Sequence, residues 1–479
     1  MGISLLKFNE NGEIHSFKIN ENVIFLDYKF NGNGDYMVFK RKIYKKLVEW
    51  KNKSNGESAI LIEGARRIGK STIAEEFAKN EYESYILIDF TKASKSVLDL
   101  FDDISDLDYI FLQLQLIYKT NLHKRKSLII FDEVQFCPKA RQAIKHLVAD
   151  RRYDYLETGS LISIRKNVKD ILIPSEEESI QMYPMDYEEF RWALGDTVSA
   201  PLLKANFEKQ KALGNDTNRK LMRDFRLYML VGGMPKVVST YIETNNLRFA
   251  DDEKRKILRL YEEDFMKIDP TGKASLIFKA IPSQLEKNAS RYQVSSVLEN
   301  QRNSTVLELI SEMESSKAVL VAHKSNDPNT GLSRTKDLEN FKLFICDTGL
   351  FTTLLFEDKD FTENIIYEKL LNDKLSANLG YLYENVVAQI LTANGNQLFY
   401  YTFLDTKSKH NYEIDFLLAR KNKICPIEVK SSGYKTHASL DEFCKKYSDR
   451  ILTKYIINTK DCSKDNDILT IPFYMAMFL

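Results

Sequence analysis

Residues 63–72 read "EGARRIGKST", and this stretch decides the fold of the first part of the chain. It has the form G-x-x-x-x-G-K-S, with Gly64, Gly69, Lys70 and Ser71 at the fixed positions. A short apolar strand ends at Gly64, and a helical pattern begins at Lys70. This strand–loop–helix context is the one in which the pattern binds a phosphate chain. The alternative is a chance glycine-rich turn.

The physical chemistry of the loop predicts how each residue type would act. Glycines let backbone N–H groups curl around phosphates, and the dipole at a helix N-terminus favours negative charge. Lys70 reaches the β- and γ-phosphates, and the Ser71 hydroxyl ligates Mg²⁺. The residues predicted to contact the nucleotide in this loop are Gly64, Arg67, Gly69, Lys70, Ser71 and Thr72.

Polar side chains end two further apolar strands. In "LIIFDE" (128–133), Asp132 and Glu133 come at the carboxyl end, which in a parallel sheet faces the ligand crevice. We expect Asp132 to hold Mg²⁺, directly or through water, and Glu133 to polarise the attacking water as a general base. In "LETGS", the hydroxyls of Thr158 and Ser160 either sense the γ-phosphate or form a turn or helix N-cap. The predicted cofactors are ATP and Mg²⁺.

The order of elements predicts an α/β protein with several domains. Buried strands alternate with helices in the first part, which favours a parallel sheet covered by helices on both faces. The 479 residues are long enough for about three domains. The predicted segments are an N-terminal hairpin extension around Asn11-Gly12 (1–36), the phosphate-binding domain (37–198), a mainly helical region (199–360) and a smaller α/β domain (361–479).

The composition excludes several classes of protein. Apolar residues make up 43% and charged residues 29%, as in ordinary globular proteins. The formal net charge of +1 gives no argument for or against a polyanionic partner. Five scattered cysteines without a C-x-x-C pair argue against a disulfide framework and a zinc ribbon. The first residues do not resemble a signal peptide, and no apolar run approaches the ~20 residues of a membrane span, so we expect a cytoplasmic protein without a membrane partner.

The middle region ends in a pattern that resembles a winged helix. A helical stretch stops at Gly232-Gly233 and Pro235, and further helices lead into two apolar strands, "KAVLVAHK" and "FKLFICDTG". The polar tip between these strands contains Asn326, Asp327, Pro328 and Gly331. A winged helix either reads DNA or packs against other domains.

The tail places charges on strands that are otherwise apolar. In "KICPIEVKSS", Glu428 and Lys430 are two residues apart and therefore share one face of a strand. Asp415 lies on the preceding strand of the same predicted hairpin, beside Glu428. Unpaired charges are costly in an apolar sheet, and a divalent cation would resolve the conflict. The lysine would then stabilise a phosphate or the attacking water. The alternative is a buried ion-pair network without catalysis.

Several motifs together resemble a known family. "GARRIGKST", "IIFDEVQFCPKAR", "ETGSLISI" and "YPMDYEEF" are similar to bacterial and archaeal AAA-type ATPases that have a characteristic C-terminal region of unknown function. "GGMP" and "KLFICDTGL" are similar to that region. The resemblance implies a P-loop ATPase core, a helical and winged-helix middle region and a nuclease-like tail.

One departure from the family pattern concerns the arginine finger. Many members have Gly-Arg ahead of the "YP" motif, whereas this chain has Ser175 and Glu176. No cationic finger is therefore present at that point. The candidates for an arginine that completes the ATP site, each alternatively a surface residue, are Arg66, Arg67, Arg151, Arg152 and Arg165.

The tail resembles the PD-(D/E)xK nuclease fold. Asp415, Glu428 and Lys430 match the metal-binding and catalytic triplet of that pattern. Glu384, in "YLYENVVAQI", matches the acid that the preceding helix often supplies, and Glu413 is an auxiliary candidate. The resemblance implies that Glu384, Asp415 and Glu428 bind the metal. Proteins of this kind include copies that bind nucleic acid without cutting it.

Two functional hypotheses follow from these patterns. In the first, the chain binds and hydrolyses ATP, and its nucleotide state controls a nuclease-like domain that acts on nucleic acid. In the second, ATP binding operates a regulatory switch or a protein-interaction module, and the tail is catalytically inactive. A ring-forming motor is a third alternative, which the missing Gly-Arg disfavours, and a homo-oligomer remains open.

Overall fold

The structure, a computed structural model, divides into two compact units, residues 1–183 and 184–479. The division falls at Tyr183, so the boundary predicted at residue 198 lies within the second unit. Before residue 37 only the backbone of short strands is described. Beyond it, the described residues are 37–159, 175–287, 290–298, 303–329, 331–357, 371–372, 380–404, 411–431 and 437–479.

The N-terminal strands form small antiparallel sheets. The first sheet has the order β1-β2-β3, and β4 pairs with β5. The pairing of β1 with β2 is the one that the predicted hairpin requires, although its turn at Asn11-Gly12 lies outside the described residues. The strands are β1 (Lys7–Phe8), β2 (Ile14–Ile19), β3 (Asn22–Phe25), β4 (Lys29–Phe30) and β5 (Met37–Val38).

A five-stranded parallel sheet forms the centre of the first unit. Its order is β10-β6-β9-β8-β7, and every neighbouring pair is parallel, which confirms the predicted sheet. The sequence pattern did not predict β10, because its residues "EESIQ" are mostly polar and lie partly exposed at the edge of the sheet. The strands are β6 (Ala59–Glu63), β7 (Ser84–Asp89), β8 (Ser127–Asp132), β9 (Asp154–Gly159) and β10 (Glu177–Gln181).

Helices cover both faces of this sheet, as predicted. On one face, Ile129 and Phe131 of β8 belong to a buried cluster with Phe101 and Ile144. On the other face, α2 contacts β7, β8 and β9, and the ring of Phe77 packs against surrounding aromatic rings. The helices of this unit are α1 (Lys42–Ser54), α2 (Lys70–Glu81), α3 (Lys95–Asp99), α4 (Leu107–Tyr118) and α5 (Pro138–Asp150).

The second unit begins with helices. The predicted stop after α8 is confirmed, because Gly232 ends that helix with a φ of 82°. A Cβ at Gly232 would lie 2.3 Å from Asp347 Oδ1, and Asp347 accepts a hydrogen bond of 2.6 Å from the Gly233 N–H. The helices of this unit are α6 (Tyr187–Ala193), α7 (Ser199–Glu208), α8 (Asn215–Val231), α9 (Pro235–Thr244), α10 (Leu247–Ile268), α11 (Lys273–Lys279), α12 (Ile281–Glu286), α13 (Asn303–Ser315), α14 (Thr348–Leu355), α15 (Gly380–Ala393) and α16 (Ala438–Lys446). Throughout the part of the chain that the structure describes, none of the helices is both long and apolar enough to cross a bilayer.

An eight-stranded sheet completes the second unit, with the order β12-β11-β13-β14-β15-β16-β18-β17. The hairpin predicted as a wing is the antiparallel pair β11–β12, and β11 also pairs in parallel with β13 of the tail. The wing strands and the tail strands therefore belong to one sheet. The strands are β11 (Val319–Ser325), β12 (Lys336–Ile345), β13 (Phe399–Leu404), β14 (Asn411–Arg420), β15 (Lys423–Val429), β16 (Lys454–Asn458), β17 (Ser463–Asp465) and β18 (Ile468–Pro472).

The tail has the element order α15–β13–β14–β15–α16–β16. Leu440 and Phe443 of α16 pack with Ile414 of β14 in a buried cluster. Because neighbouring strand residues point to opposite faces, Glu413 and Asp415 face away from α16. The charged residues of β14 are thereby gathered on one side of the sheet.

Candidate functional site

The loop between β6 and α2 requires glycine at both of its fixed positions. A Cβ at Gly64 would lie 2.3 Å from the carbonyl oxygen of Met182 and 2.5 Å from Ile68 Cδ1. Gly69 caps α2 with a φ of 94°, in the left-handed region that favours glycine. The loop thus turns directly into a helix N-terminus, where the first N–H groups have no partner within the helix. This geometry suits an anion.

Lys70 is the first residue of α2, and its side chain folds back over the loop. It is buried, and its ammonium donates hydrogen bonds to the carbonyl oxygens of Gly64 (3.1 Å) and Ala65 (3.0 Å). A cation is therefore held at the centre of the curled backbone.

The carboxyl ends of β8 and β9 join in a small hydrogen-bond network. The Thr158 hydroxyl donates to Asp132 Oδ1 and accepts a 3.2 Å hydrogen bond from the Glu133 N–H. Gln135 Nε2 donates to Glu133 Oε2. Thr158 therefore orients Asp132, the predicted magnesium ligand. This contact differs from both roles predicted for the Thr158 hydroxyl, which were sensing the γ-phosphate and forming a turn or helix N-cap.

The other residues predicted to contact the nucleotide lie in the loop or the first turn of α2, apart from Ser160. Ser71 and Thr72 lie partly buried in the first turn of α2. Arg67 is exposed and has a φ of 69°, so its backbone takes a conformation that is uncommon for a side-chain-bearing residue. Ser160 lies outside the described residues.

Two of the predicted finger candidates lie at the wrong edge of the sheet. Arg151 and Arg152 precede β9, whereas the phosphate loop follows the carboxyl end of β6. Arg151 pairs with Glu57 at 3.3 Å, and Arg152 donates to Asp150 at 2.6 Å. These arginines are therefore paired at the amino-terminal edge, away from the phosphate loop of their own chain. Of the remaining candidates, Arg66 and Arg67 lie in the loop itself, and Arg165 lies outside the described residues.

Arg41 supports the loop from behind, and the sequence pattern did not single it out. Its guanidinium donates to the carbonyl oxygens of Ile68 (2.9 Å) and Tyr183 (2.6 Å). The side chain is buried. Arg41 thus fixes the backbone one residue before Gly69.

A buried ion pair connects the edge strand β10 to helix α5. Arg141 of α5 forms a bidentate pair with Glu177, with distances of 2.9 Å and 2.7 Å. Glu157 is fully buried beside them, and burial together with the charge of Glu177 raises its pKa well above the usual range. Glu177 directly follows Ser175 and Glu176, where the chain departs from the family pattern, and its pair with Arg141 ties β10 to α5.

The second unit contains a cluster of carboxylates and lysines, which we call the tail cluster. Its members come from α15, β12, β14 and β15, except Lys430, which directly follows β15. Lys430 Nζ lies 2.7 Å from Glu428 Oε1, and the Val429 N–H donates to Asp415 Oδ2 at 2.7 Å. The structure therefore places Asp415 next to Glu428 and Lys430. The members are Lys342, Glu384, Glu413, Asp415, Glu428 and Lys430.

Lys342 is the member that sequence reasoning missed. Its ammonium forms a hydrogen-bonded ion pair with Glu413 and lies 3.6 Å from Glu384 Oε2. The residue stands in "LENFKLFICD", an apolar strand with a lone lysine. A charge within such a run was the available signal, since a buried lysine requires an acidic partner.

Burial and neighbouring charges shift the pKa values of the tail cluster. Burial, together with Asp415 and Glu413, raises the pKa of Glu384 to about 7, although Lys342 opposes this shift. Burial also raises the pKa values of Glu413, Asp415 and Glu428 against the opposing lysines. For Lys342, burial acts against the charge, but the surrounding carboxylates hold its pKa above the usual range. The pKa values of the acids and of the lysines in the tail cluster therefore depend on one another.

The described residues do not contain a group of three or more His, Cys, Asp or Glu side chains arranged to hold a metal ion. In the tail cluster, Glu384 and Glu413 contact Lys342, and Glu428 contacts Lys430. Of the metal set predicted from Glu384, Asp415 and Glu428, Glu384 thus lies beside one ammonium group and Glu428 beside the other, while Asp415 accepts a hydrogen bond from a backbone N–H.

Three family models match parts of the chain. A model described as an AAA domain matches residues 56–191. Two domains of unknown function, DUF8612 and DUF4143, match residues 222–360 and 379–474. Residues 56–191 are therefore an AAA-type P-loop ATPase domain, which confirms that part of the resemblance. The winged-helix and nuclease-like parts remain predictions.

Solved structures give distant similarities. A Walker-type ATPase of Pyrococcus abyssi is 14% identical, with 68% of this chain and 97% of that chain covered and a TM-score of 0.39. A signal-transduction ATPase with numerous domains and a tetratricopeptide-repeat sensor, from Pyrococcus horikoshii, is 12% identical, with 75% of this chain and 49% of that chain covered and a TM-score of 0.25. No curated protein matches the sequence.

Proposed function

We propose that the first unit binds and hydrolyses ATP with Mg²⁺, and that its nucleotide state controls the tail, which acts on nucleic acid. One observation carries the first part of this proposal. The loop that holds Lys70 and the carboxylate of Asp132 both follow carboxyl ends of strands in the same parallel sheet. β9 lies between these strands, and its Thr158 orients Asp132. Phosphates and a cation would meet at this edge.

The residues at this edge suit a magnesium–nucleotide complex. Asp132 and Ser71 offer a carboxylate and a hydroxyl, and oxygen ligands are those that Mg²⁺ prefers. Bound Mg²⁺ would neutralise charge on the phosphate oxygens. Lys70 would exchange its bonds with the Gly64 and Ala65 carbonyls for bonds with phosphates. Glu133, held by Gln135, would take the proton of the attacking water.

Calorimetry and phosphate release test this part of the proposal. Lys70→Ala should abolish ATP binding, whereas Glu133→Gln should keep binding and lose hydrolysis. Lys79→Ala is the matched control, because Lys79 is exposed in the last turn of the same helix. Unchanged ATP binding in Lys70→Ala would overturn the proposed site.

For the tail, we propose a metal-dependent nuclease-like site formed by Asp415, Glu428 and Lys430, with Glu384 and Glu413 beside it. The support is the convergence of these side chains on one side of the sheet, together with the element order of the tail. The ion pairs of Lys342 favour the second candidate, a tail that binds its partner without cutting, because one ammonium already engages two of the acids.

A cleavage assay separates the two candidates. The full chain is incubated with Mg²⁺ or Mn²⁺ and with plasmid DNA, linear DNA or RNA. Cutting that disappears in Asp415→Ala and Lys430→Ala supports the nuclease. Lys445→Ala is the control, since this exposed lysine pairs only with its helix neighbour Glu442 among the ion pairs seen in the described residues. Binding without cutting supports the regulatory switch.

A separate experiment tests whether the nucleotide state controls the tail. Limited proteolysis and cleavage are compared with ATP, with ADP and without nucleotide. We expect the digestion pattern and the action on nucleic acid to change between these states. Identical results in all three states would contradict the coupling. Measuring molecular size under the same conditions tests the homo-oligomer.

A further inference from the structure

Lys342 enters the tail cluster from β12, the edge strand of the eight-stranded sheet. Two strands, β11 and β13, lie between β12 and β14 in the sheet order. Even so, the Lys342 ammonium reaches Glu413 of β14 and lies 3.6 Å from Glu384 of α15. Its side chain is only 7% exposed. This ammonium therefore bridges two carboxylates from different elements, as a bound metal cation would.

The charges of the tail cluster do not balance. Four carboxylates stand against the two ammonium groups of Lys342 and Lys430, so the fully charged cluster has a net charge of −2. Buried charge without compensation is costly. One divalent cation would bring the cluster to neutrality, whereas two would leave it with a net positive charge.

The negative charge is shared equally between the Lys342 side and the Lys430 side, but the buried oxygen without a hydrogen-bond partner in the described part of the chain lies on the side of Glu428. Glu428 is 4% exposed, and its Oε1 pairs with Lys430. Its Oε2 is buried and has no hydrogen-bond partner among the described residues. Asp415 Oδ2 accepts a 2.7 Å hydrogen bond from the N–H of Val429, the residue that follows Glu428, which places the second carboxylate on the neighbouring strand at this point. An unpartnered buried carboxylate oxygen beside a second carboxylate offers a position for a cation.

We propose that Lys342 permanently fills one of two cation positions in the tail cluster, so that the cluster takes a single divalent cation at Asp415 and Glu428. The inference rests on the proposed metal-binding function of the tail. The Glu384–Glu413 position is satisfied by an ammonium that the fold itself supplies. The Asp415–Glu428 position has the open oxygen, and there the added cation restores neutrality.

Manganese titration of the full chain without nucleotide tests this inference. The number of bound ions is read from the loss of the free Mn²⁺ signal in electron paramagnetic resonance. The wild-type chain should bind one ion that Glu428→Gln removes. Lys342→Met should bind two ions that depend on the cluster, because the vacated position offers the Glu384 and Glu413 carboxylates. Lys336→Met is the matched control on the same strand, where the lysine is exposed, and it should bind one.

Thermal unfolding provides a second readout in case Lys342→Met folds poorly. We expect Mn²⁺ to raise the melting temperature of Lys342→Met more than that of the wild type, because a second cation replaces the missing ammonium. Failure of Lys342→Met to fold even with Mn²⁺ present throughout would overturn the inference. So would two cluster ions in the wild type, none in the wild type, or one in a folded Lys342→Met.

The same titration distinguishes this inference from the proposed function. A wild-type chain that binds one cluster ion but cuts no nucleic acid would refute the nuclease and leave the role of Lys342 intact. A chain that cuts nucleic acid with two cluster ions would refute the role of Lys342 and leave the nuclease intact.

Discussion

Replacing Thr158 by valine would remove one hydroxyl while keeping the shape of the side chain. That hydroxyl donates to Asp132 and accepts from the Glu133 N–H. Valine therefore leaves a buried carboxylate oxygen and a backbone N–H without this partner. Because Thr158 is fully buried, water cannot readily take its place. The substitution tests whether Asp132 depends on β9 for its orientation.

The size of the effect follows from the two lost hydrogen bonds. A hydrogen bond to a charged group contributes about 1.5–3 kcal/mol, and an unsatisfied buried N–H costs about 1–3 kcal/mol. Allowing for relaxation, we expect Thr158→Val to lower the free energy of unfolding by about 2–4 kcal/mol. A misplaced Asp132 should also lower the rate of ATP hydrolysis by about 10- to 100-fold, since a shift of about 1 Å has effects of that size.

The assay combines thermal unfolding with steady-state phosphate release at saturating Mg²⁺ and ATP. If Thr158 acts through Asp132, kcat falls while the affinities for ATP and ADP change together. If its hydroxyl instead contacts the γ-phosphate, affinity for ATP falls and affinity for ADP is unaffected. Thr158→Ser keeps the hydroxyl and should recover most of the activity.

Wild-type stability and wild-type turnover in Thr158→Val would refute the reasoning. That outcome would mean that Asp132 holds its orientation without the hydrogen bond from β9. A loss of stability with full turnover would confine Thr158 to a structural role and would equally contradict its effect on catalysis.

Three further predictions concern positions outside the reacting groups. Asp347→Ala should lower the free energy of unfolding by about 2–4 kcal/mol, measured in urea, because it removes the fully buried N-cap of α14 and leaves backbone N–H groups unpaired. Burial, with Lys336, lowers the pKa of His323 to about 4. The unfolded chain therefore binds more protons between pH 6.5 and 4, and stability falls as pH drops through that window by about 2 kcal/mol after allowance for solvent. His323→Gln should remove that loss, whereas an unchanged pH profile would contradict it. Arg41→Ala should weaken ATP binding about tenfold in calorimetry, from the loss of charge-assisted bonds of about 1.5 kcal/mol or more, while the exposed Lys45→Ala should not.

The nucleotide site was predictable because its determinants are local in sequence. The loop from Gly64 to Ser71 is one continuous motif, although the structural need for Gly64 comes from Met182 as well as from Ile68 within the loop, and that for Gly69 from a left-handed φ. Asp132 is the last residue of β8, which is buried along its whole length, as is β9, and such burial marks a central strand. The local sequence pattern and the rules of sheet topology are sufficient to predict a site of this kind.

The residues that sequence reasoning missed have distant partners. Arg41 bonds to the carbonyl of Tyr183, 142 residues away, and Lys342 pairs with Glu413, 71 residues away. A lone charge in an apolar strand signals that a partner exists, but only the fold identifies it. The edge strand β10 was missed for a related reason, since its partly exposed, acidic sequence has neither an apolar run nor clear alternation.

The position of Lys342 also shows why the tail motif alone does not decide between cutting and binding. Asp415, Glu428 and Lys430 are the same residues in an active site and in a structural ion-pair network. The difference lies in how many of the neighbouring acids the fold already neutralises. Here Lys342 engages Glu384 and Glu413, and one buried oxygen of Glu428 has no partner among the described residues. We propose that a cluster two charges short of neutrality accepts a cation. Counting that cation in the wild type and in Lys342→Met distinguishes a cation site from a completed ion-pair network, and the cleavage assay then decides whether the site cuts.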